Sequence, residues 1–304
     1  MKPDKEAVVT GSTGFVGSHL VKRLVDNGWS VHVIVRPESN IEILKQFGSN
    51  VTIFRHNGTM EGMMSLFERV TPSVVFHLAS CFIVEHKAKD IQALVDSNIL
   101  FGLQLVEAMT ASHVQRLVNA GTSWQHFNNE AYNPVNLYAS SKEAFEALLR
   151  YYIEAKGLKT ITLKLFDTYG PDDPRPKLFA LLRGAVTSQQ AIAMSPGEQL
   201  IDLVYIADVV DAFMIAADRL SRNECDNYEE YAVSSGKPLA LRELVDIYQK
   251  VTGKKLMIKW GGRSYRVREV MVPWNGGQWI EGWSPKVSIE KGIELIETNT
   301  PGNV

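Results

Sequence analysis

Short apolar segments alternate with amphipathic stretches along the first 170 residues. The apolar segments are rich in β-branched residues and predict strands near residues 7–9, 31–35, 51–54, 74–78, 116–120 and 160–166. The stretches between them predict helices near 14–27, 60–70, 89–111 and 142–156. Continuous β-branched runs separated by helices are typical of a parallel sheet that is covered by helices on both faces.

The pattern changes after Gly170. Three prolines and two aspartates mark a loop there, namely Pro171, Asp172, Asp173, Pro174 and Pro176. Helices are predicted near 207–219 and 239–251, and a stretch rich in tryptophan and glycine follows at 274–283 without a clear period. We therefore predict two parts, a parallel-sheet domain over 1–170 and a smaller C-terminal lobe over 171–304, with some later segments returning to the first part.

Composition narrows the class of protein. The chain has 304 residues, 45% of them hydrophobic, and its 32 Lys and Arg against 34 Asp and Glu give a net charge of −2. This balance gives no general electrostatic reason to bind nucleic acid or an anionic membrane. Cys81 and Cys225 are too few for a disulfide framework, and no apolar run approaches the roughly 20 residues of a membrane span. We therefore expect a cytoplasmic protein. We also expect no metal site, because the seven histidines lack metal-binding spacing.

A glycine-rich segment joins the first predicted strand to the first predicted helix. It reads Thr10-Gly11-Ser12-Thr13-Gly14-Phe15-Val16-Gly17 and has the spacing G-x-x-G-x-x-G. Glycines there permit a tight turn and a close backbone approach to a pyrophosphate, and the helix N-terminus offers free N–H groups. The context indicates a dinucleotide-binding turn formed by Gly11, Thr13, Gly14, Phe15, Val16 and Gly17.

The second predicted strand ends in Val35-Arg36-Pro37. A site selective for NAD places an acidic residue at this point to bind the ribose 2′-hydroxyl. The guanidinium of Arg36 can instead pair with the 2′-phosphate of NADP and stack on adenine. The sequence therefore favours NADP(H) over NAD(H).

A third segment, Tyr138-Ala139-Ser140-Ser141-Lys142, carries a candidate proton-transfer pair. On a helix, positions i and i+4 share a face. A lysine ammonium beside a phenol favours the phenolate, so we expect Lys142 to lower the pKa of Tyr138. Ser123, at the end of the fifth predicted strand, adds a hydroxyl that can bind the same substrate oxygen.

Together these segments resemble the extended short-chain dehydrogenase/reductases, in the group of sugar-nucleotide epimerases and dehydratases, over nearly the whole chain. Four further segments resemble motifs of that group: His77-Leu78-Ala79-Ser80, Asn98-Ile99-Leu100-Phe101-Gly102, Phe166-Asp167-Thr168-Tyr169-Gly170-Pro171, and the run from Gln199 to Asp208. The resemblance implies an α/β fold, a Rossmann-type doubly wound parallel sheet with a smaller C-terminal lobe that binds a sugar nucleotide.

The same resemblance implies roles for single residues. Tyr138 is the expected acid/base, Lys142 binds the nicotinamide ribose and tunes the tyrosine, and Ser123 matches the catalytic Ser/Thr, with Thr122 as the neighbouring candidate. The expected cofactor contacts also include Leu78, Ala79, Ser80 and Asn98. The expected substrate contacts are Thr122, Ser123, Trp124, Asp167 and Arg266.

Three positions depart from the group pattern. Ile201 replaces an arginine that binds diphosphate, although Arg266 resembles the other diphosphate-binding arginine. Asp167 stands where the group usually has asparagine, and its charge near a sugar nucleotide is unexpected. Trp124-Gln125 replaces the two acids that drive water elimination in the 4,6-dehydratases, which argues against a dehydratase.

A narrower likeness is carried by the segments at 121–127 and 132–138, which resemble the CDP-abequose and CDP-paratose synthases. These are 4-ketoreductases of a CDP-linked 4-keto-3,6-dideoxyhexose in O-antigen synthesis. The resemblance implies NADPH-dependent reduction of such a sugar, by a homodimer. It leaves open the base of the nucleotide, the deoxysugar and the face of hydride attack.

Three other functions remain open from the sequence. The first is a sugar-nucleotide 4-epimerase with tightly bound NAD, against which Arg36 argues. The second is a reductase of a non-sugar carbonyl compound. The third is a cofactor-binding regulator without catalysis, against which the intact Ser123, Tyr138 and Lys142 argue.

Overall fold

A seven-stranded parallel sheet forms the centre of the structure, a computed structural model that describes residues 5–298. The strands in chain order are β1 (Glu6–Thr10), β2 (Ser30–Val35), β3 (Val51–Arg55), β4 (Val74–His77), β5 (Arg116–Thr122), β6 (Lys159–Leu165), β7 (Asp167–Tyr169), β8 (Ile192–Ala193), β9 (Leu200–Ile201), β10 (Leu203–Tyr205), β11 (Tyr228–Val233), β12 (Leu239–Ala240) and β13 (Ile258–Lys259). The order in the main sheet is β3-β2-β1-β4-β5-β6-β11. The doubly wound α/β fold expected from the sequence is therefore confirmed.

Helices cover both faces of this sheet. They are α1 (Phe15–Asp26), α2 (Glu42–Lys45), α3 (Met60–Phe67), α4 (Ile91–Val95), α5 (Phe101–Ala111), α6 (Leu137–Lys156), α7 (Leu178–Ser188), α8 (Ile206–Ser221), α9 (Leu241–Thr252) and α10 (Ile289–Thr298). One apolar core packs α1 and α8 on one face, and a second packs α3, α5 and α6 on the other. Because both faces are buried, strands such as β1 and β2 carry continuous apolar runs.

The strand order reverses between β1 and β4. β1 pairs with β2 on one side and with β4 on the other, so the segments that follow β1 and β4 leave on opposite faces. In open parallel sheets a ligand crevice forms at the carboxyl ends of the strands at this reversal. The glycine-rich segment after β1 lies at this point.

Two helices differ from their predicted form. The helix predicted near 89–111 consists of α4, a π-helical turn (Asp96–Leu100) and α5. The helix predicted near 142–156 already begins at Leu137, because the side chain of Asn136 caps it by accepting a hydrogen bond from the Ala139 N–H at 3.0 Å. Tyr138 therefore lies in the first turn of α6.

The sequence pattern did not predict the seventh strand, β11. It is an edge strand that carries Glu229 and Glu230, so it has no continuous apolar run. Together with α8, which packs on β5 and β6, it returns residues beyond 171 to the main sheet. The division into 1–170 and 171–304 stays a prediction.

Within residues 5–298, no helix is both long enough and apolar enough to cross a membrane.

Candidate active site

The glycine-rich segment forms a tight turn between β1 and α1. Gly11 has φ +71°, and a Cβ there would lie 2.6 Å from the backbone nitrogen of Ala79. A Cβ on Gly17 would lie 2.1 Å from the carbonyl oxygen of Gly11. Gly14 precedes α1 and gives it no side-chain cap, so the first turn can direct its N–H groups to an anion. The turn therefore requires glycine at the positions that the motif specifies.

A buried hydroxyl group holds the end of β4 against this turn. Thr10 Oγ1 accepts hydrogen bonds from the backbone N–H groups of Leu78 (3.2 Å) and Ala79 (3.1 Å), and it lies 2.9 Å from His77 Nδ1. Burial lowers the pKa of His77 well below its usual value, and the nearby Lys142 lowers it further. The neutral ring accepts the Thr10 hydroxyl proton at Nδ1. This clamp places Leu78 and Ala79 directly beside Gly11.

A cleft of about 1710 Å³ runs along one side of this turn. Its lining includes most of the expected cofactor contacts, namely Gly11, Thr13, Gly14, Arg36, Leu78, Ala79 and Ser80. The Arg36 side chain is 79% exposed, with Nε 3.2 Å from Glu38 Oε1. Arg55, which the motifs did not indicate, donates hydrogen bonds to the carbonyl groups of Arg36 and Pro37 and thereby supports this loop.

Asn98, an expected cofactor contact, hydrogen-bonds to other protein groups. It is fully buried, and it is not among the residues that line the clefts. Its side-chain carbonyl accepts hydrogen bonds from Ser80 Oγ (3.1 Å) and the Cys81 N–H (2.7 Å), and its amide donates to Ser141 Oγ (2.8 Å). Asn98 therefore ties the segment after β4 to α6, and its partners Ser80 and Cys81 line the first cleft.

A second cleft of about 1040 Å³ continues from the turn to α6. It brings together Phe15, Val16 and Gly17 with Thr122, Ser123, Trp124, Tyr138, Lys142 and Asp167. The Tyr138 ring packs edge-on against Phe82, with ring centroids 4.9 Å apart. The tyrosine and the lysine share one face of α6, as their spacing predicted.

The pKa of Tyr138, beside Lys142, differs from the expected one. Removal from water raises the pKa of Tyr138 to about 12, although hydrogen bonds to Ser80 and Thr122 oppose that shift. Burial also lowers the pKa of Lys142 to about 8, while Glu146 raises it and Lys164 lowers it. The expected lowering of the Tyr138 pKa is therefore wrong for this structure, because desolvation outweighs the stabilisation of the phenolate. The phenol keeps its proton at neutral pH.

Thr122 and Ser123 both line the cleft beside the tyrosine. The side chains of Ser80 and Thr122 lower the pKa of Tyr138, against the larger effect of burial. Ser123 opens a 3-10 turn (Ser123–Gln125) and is 9% exposed. The motif identified the segment, but its spacing could not show that Thr122 acts on the phenol.

A third cleft, of about 680 Å³, adjoins the second on the side of the C-terminal lobe. Ser123, Trp124, Asp167 and Arg266 line it, as does the apolar Ile201. The Arg266 guanidinium lies 5.8 Å from the centre of the Trp124 ring. Arg266 also donates to Glu269 through Nε (3.0 Å) and NH2 (2.7 Å).

Lys177 forms an ion pair with Asp167, the carboxylate that the group pattern does not predict. Its Nζ lies 2.9 Å from Asp167 Oδ1 and 5.2 Å from the centre of the Phe82 ring, and it also lines the second cleft. The Asp167 charge additionally raises the pKa of Arg266, after the larger effect of Glu269. Lys177 was missed because it belongs to no motif and follows an irregular proline-rich loop.

His126 lies beneath the third cleft in an aromatic stack. Its ring is parallel to that of Trp274, with centroids 4.0 Å apart, and Trp274 in turn stacks with Phe166 at 6.3 Å. His126 is 8% exposed, and burial lowers its pKa. The stack gives the third cleft a rigid aromatic floor.

Across residues 5–298, no group of three or more His, Cys, Asp or Glu side chains could hold a metal ion.

Comparison with known proteins agrees with this arrangement. The profile of the NAD dependent epimerase/dehydratase family matches residues 7–232. The CDP-abequose synthase of Salmonella typhimurium is 25% identical over 300 residues, covering 95% of this chain and 96% of the relative. The CDP-abequose synthase of Yersinia pseudotuberculosis is 27% identical, covering 88% of this chain and 90% of the relative.

Among solved structures, the UDP-glucose 4-epimerase of Thermus thermophilus in complex with NAD is similar throughout. It superposes with a TM-score of 0.79 at 26% identity and covers 98% of this chain and 100% of its own.

The close approach at Gly17 predicts a large effect of one methyl group. Gly17→Ala places a Cβ against the Gly11 carbonyl, so we expect a loss of stability of about 1–3 kcal/mol, measured by denaturant unfolding. Gly184 in α7 is the matched control, because its added Cβ meets nothing within 4 Å. Gly184→Ala should be neutral or stabilise by up to about 1 kcal/mol. Equal stability of Gly17→Ala and wild type would contradict the packing described.

Proposed function

The chain belongs to the NAD dependent epimerase/dehydratase family, and we propose that it reduces the 4-keto group of a nucleotide-linked deoxyhexose with NADPH. The proposed substrate resembles CDP-4-keto-3,6-dideoxyglucose, and the product resembles CDP-abequose or CDP-paratose for O-antigen or polysaccharide synthesis. The two relatives named CDP-abequose synthase, aligned over most of the chain, support this substrate class. We also propose that the protein acts in the cytoplasm.

The residues at the turn fit a dinucleotide. Gly11 and Gly17 let the turn pack closely against backbone atoms that a Cβ would overlap, and the uncapped N-terminus of α1 follows this turn directly. Arg36 at the wall of the cleft is the observation that favours a reductase, because its exposed guanidinium suits a 2′-phosphate. Ser80, Tyr138 and Lys142 would face the nicotinamide end of the cofactor.

When bound, a reduced nicotinamide supplies a hydride to the carbonyl carbon of the sugar. Tyr138 gives its phenolic proton to the carbonyl oxygen, so the ketone becomes an alcohol. The pKa of about 12 keeps that proton on Tyr138 before the reaction. The hydroxyl groups of Thr122 and Ser123 orient the carbonyl oxygen and stabilise its developing charge. The Lys142 ammonium then stabilises the phenolate that remains.

The substrate would extend from this pair into the third cleft. Arg266, near Trp124 in the third cleft, and Lys177, beside Asp167 in the second, are two cations on its path. Each is already paired with a carboxylate, so a diphosphate would bind by sharing or replacing these partners. A 4-epimerase remains the alternative, and the similar fold of the Thermus thermophilus UDP-glucose 4-epimerase with NAD favours keeping it.

Tyr138→Phe tests the proton transfer. We expect kcat for reduction of CDP-4-keto-3,6-dideoxyglucose to fall by about 10²–10⁴-fold, because general acid catalysis contributes that much. NADPH binding and thermal stability should be nearly unchanged. Tyr132→Phe is the control, since Tyr132 is exposed and contacts only Ser140 through its hydroxyl group. Wild-type turnover of Tyr138→Phe would exclude the assignment.

Cofactor titration separates the reductase from the epimerase. We expect NADPH to bind reversibly and more tightly than NADH, and Arg36→Ala to weaken NADPH by about tenfold or more through loss of a charged hydrogen bond. NADH affinity should change little. Lys45→Ala, which removes an exposed cation of α2, is the control. Tightly retained NAD in the purified protein would instead support the epimerase.

We propose a homodimer that buries apolar residues on α4, the π-helical turn and α6. These residues, each between 41% and 58% exposed, are Ile91, Val95, Leu100, Leu148 and Tyr151. The three elements pack against one another, and an exposed apolar patch on a globular protein indicates an interaction site.

Sedimentation analysis checks this proposal. Tyr151→Glu should shift the protein from dimer to monomer, because the carboxylate would be buried in the interface. Leu181→Glu on α7 should not, although Leu181 is 43% exposed. A monomeric wild type at micromolar concentration would refute the dimer.

A further inference from the structure

A buried ion pair lies directly behind the catalytic helix. Lys164 on β6 is 1% exposed, and its Nζ is 2.6 Å from Oε2 of Glu146, whose side chain is 6% exposed. Removing two charges from water costs more than their attraction returns unless further groups compensate. Such a pair is weak evidence for stability, so its position relative to the reacting residues is informative.

The pair lies within reach of Lys142. Glu146 follows Lys142 by one helical turn, so both side chains lie on the same face of α6. Lys164 is also 3.3 Å from Glu230 on β11 and 3.9 Å from Glu143. Three carboxylates thus surround the Lys164 ammonium. Burial raises the pKa of Glu146, and the Lys164 ammonium opposes this shift and favours the ionised carboxylate.

A second contact leads from the pair to the reacting hydroxyl groups. The Gln125 amide donates to Glu146 (3.3 Å) and to Glu143, and its carbonyl accepts from the Thr122 N–H (3.0 Å). Because ionised carboxylates only accept hydrogen bonds, they fix the orientation of this amide. Gln125 therefore holds the backbone of Thr122, whose side chain lowers the pKa of Tyr138.

The backbone of β5 leaves room for this network at Gly121. A Cβ there would lie 2.8 Å from Lys164 Cδ and 2.9 Å from Glu146 Oε1. The ion pair therefore packs against the main chain one residue before Thr122.

We propose that Glu146, balanced by Lys164, is a positioning residue of the active site that keeps Lys142 charged and, through Gln125, holds Thr122 beside Tyr138. The inference deepens the proposed function, because it assigns a task to groups that touch neither cofactor nor substrate.

The charges near Lys142 predict the direction in which its pKa changes when Glu146 or Lys164 is replaced. Burial lowers the pKa of Lys142 to about 8, Glu146 opposes this shift and Lys164 adds to it. Loss of the Glu146 charge therefore lowers the pKa of Lys142 further, and the ammonium is lost at a lower pH. Loss of the Lys164 charge acts in the opposite direction.

The other groups near Lys142 do not change the direction of this pKa shift. Tyr138 on α6 keeps its proton, since its pKa is about 12. His77 on β4 is neutral, because burial lowers its pKa well below the usual value. Glu230 on β11 acts through its contact with Lys164.

The test follows the Lys142 ammonium directly in the ligand-free protein. Lysine labelled with carbon-13 at Cε reports its own titration by NMR, and the signal that disappears in Lys142→Met belongs to Lys142. In Glu146→Gln we expect the midpoint to fall by roughly one pH unit. In the double variant Glu146→Gln with Lys164→Met it should return toward the wild-type value, because both opposing charges are removed.

Two further variants complete the design. Glu154→Gln, an exposed change on the same helix, should leave the midpoint unchanged. Glu230→Gln removes a part-exposed partner of Lys164 and should lower the Lys142 midpoint by less than Glu146→Gln does. If Glu146→Gln folds poorly, Glu230→Gln still tests the direction of the shift. Coincident midpoints in wild type, Glu230→Gln and folded Glu146→Gln would overturn the inference.

The same variants separate this inference from the proposed reaction. With active enzyme, the decline of kcat at high pH should shift to lower pH in Glu146→Gln by the amount that NMR measures, with the KM for NADPH little changed. Because the titration needs no substrate, a shifted midpoint without any reduction of the CDP-keto sugar would refute the proposed function alone. A kcat profile that does not follow a shifted midpoint would refute the positioning role.

Discussion

The close approach of the segments that follow β1 and β4 is the constraint on which the rest of the site depends. At Gly11 the two backbones come so near that a Cβ would overlap Ala79, and the Thr10 hydroxyl joins them with three contacts. α1 can then begin directly after the turn that follows β1. Because the chain leaves β1 and β4 toward opposite faces, a crevice opens beside this contact. Both clefts that adjoin the turn begin here.

Around this crevice, several positive charges are paired before any ligand arrives. Arg266 pairs with Glu269, Lys177 with Asp167, and Arg36 with Glu38. The Arg266 and Lys177 pairs are partly buried, whereas Arg36 and Glu38 are exposed and gain little from their pairing. At Arg266 and Lys177, an anionic ligand must therefore compete with a carboxylate. Binding then depends on how well the ligand's geometry replaces these partners, which is a basis for specificity.

Part of this site could be predicted from the sequence. Gly11, Tyr138 and Lys142 follow fixed spacings, because a tight turn or one helical turn dictates their separation along the chain. Asn98 belongs to a motif too, yet its side chain turns inward to other protein groups, which its spacing does not reveal. The buried ion pair behind α6 forms only when β6, β11 and α6 pack together, and β11 escaped prediction because its acidic residues interrupt the apolar pattern.

The sequence by itself determined the parallel sheet, the glycine turn and the tyrosine–lysine pair, since each rests on local periodicity or local steric limits. Only the tertiary structure decided that Thr122 acts on the Tyr138 phenol, that Lys177 pairs with Asp167, and that the Tyr138 pKa rises instead of falling. The physical reason is that desolvation and long-range pairing are set by which surfaces become buried together, and no short segment of sequence contains that information.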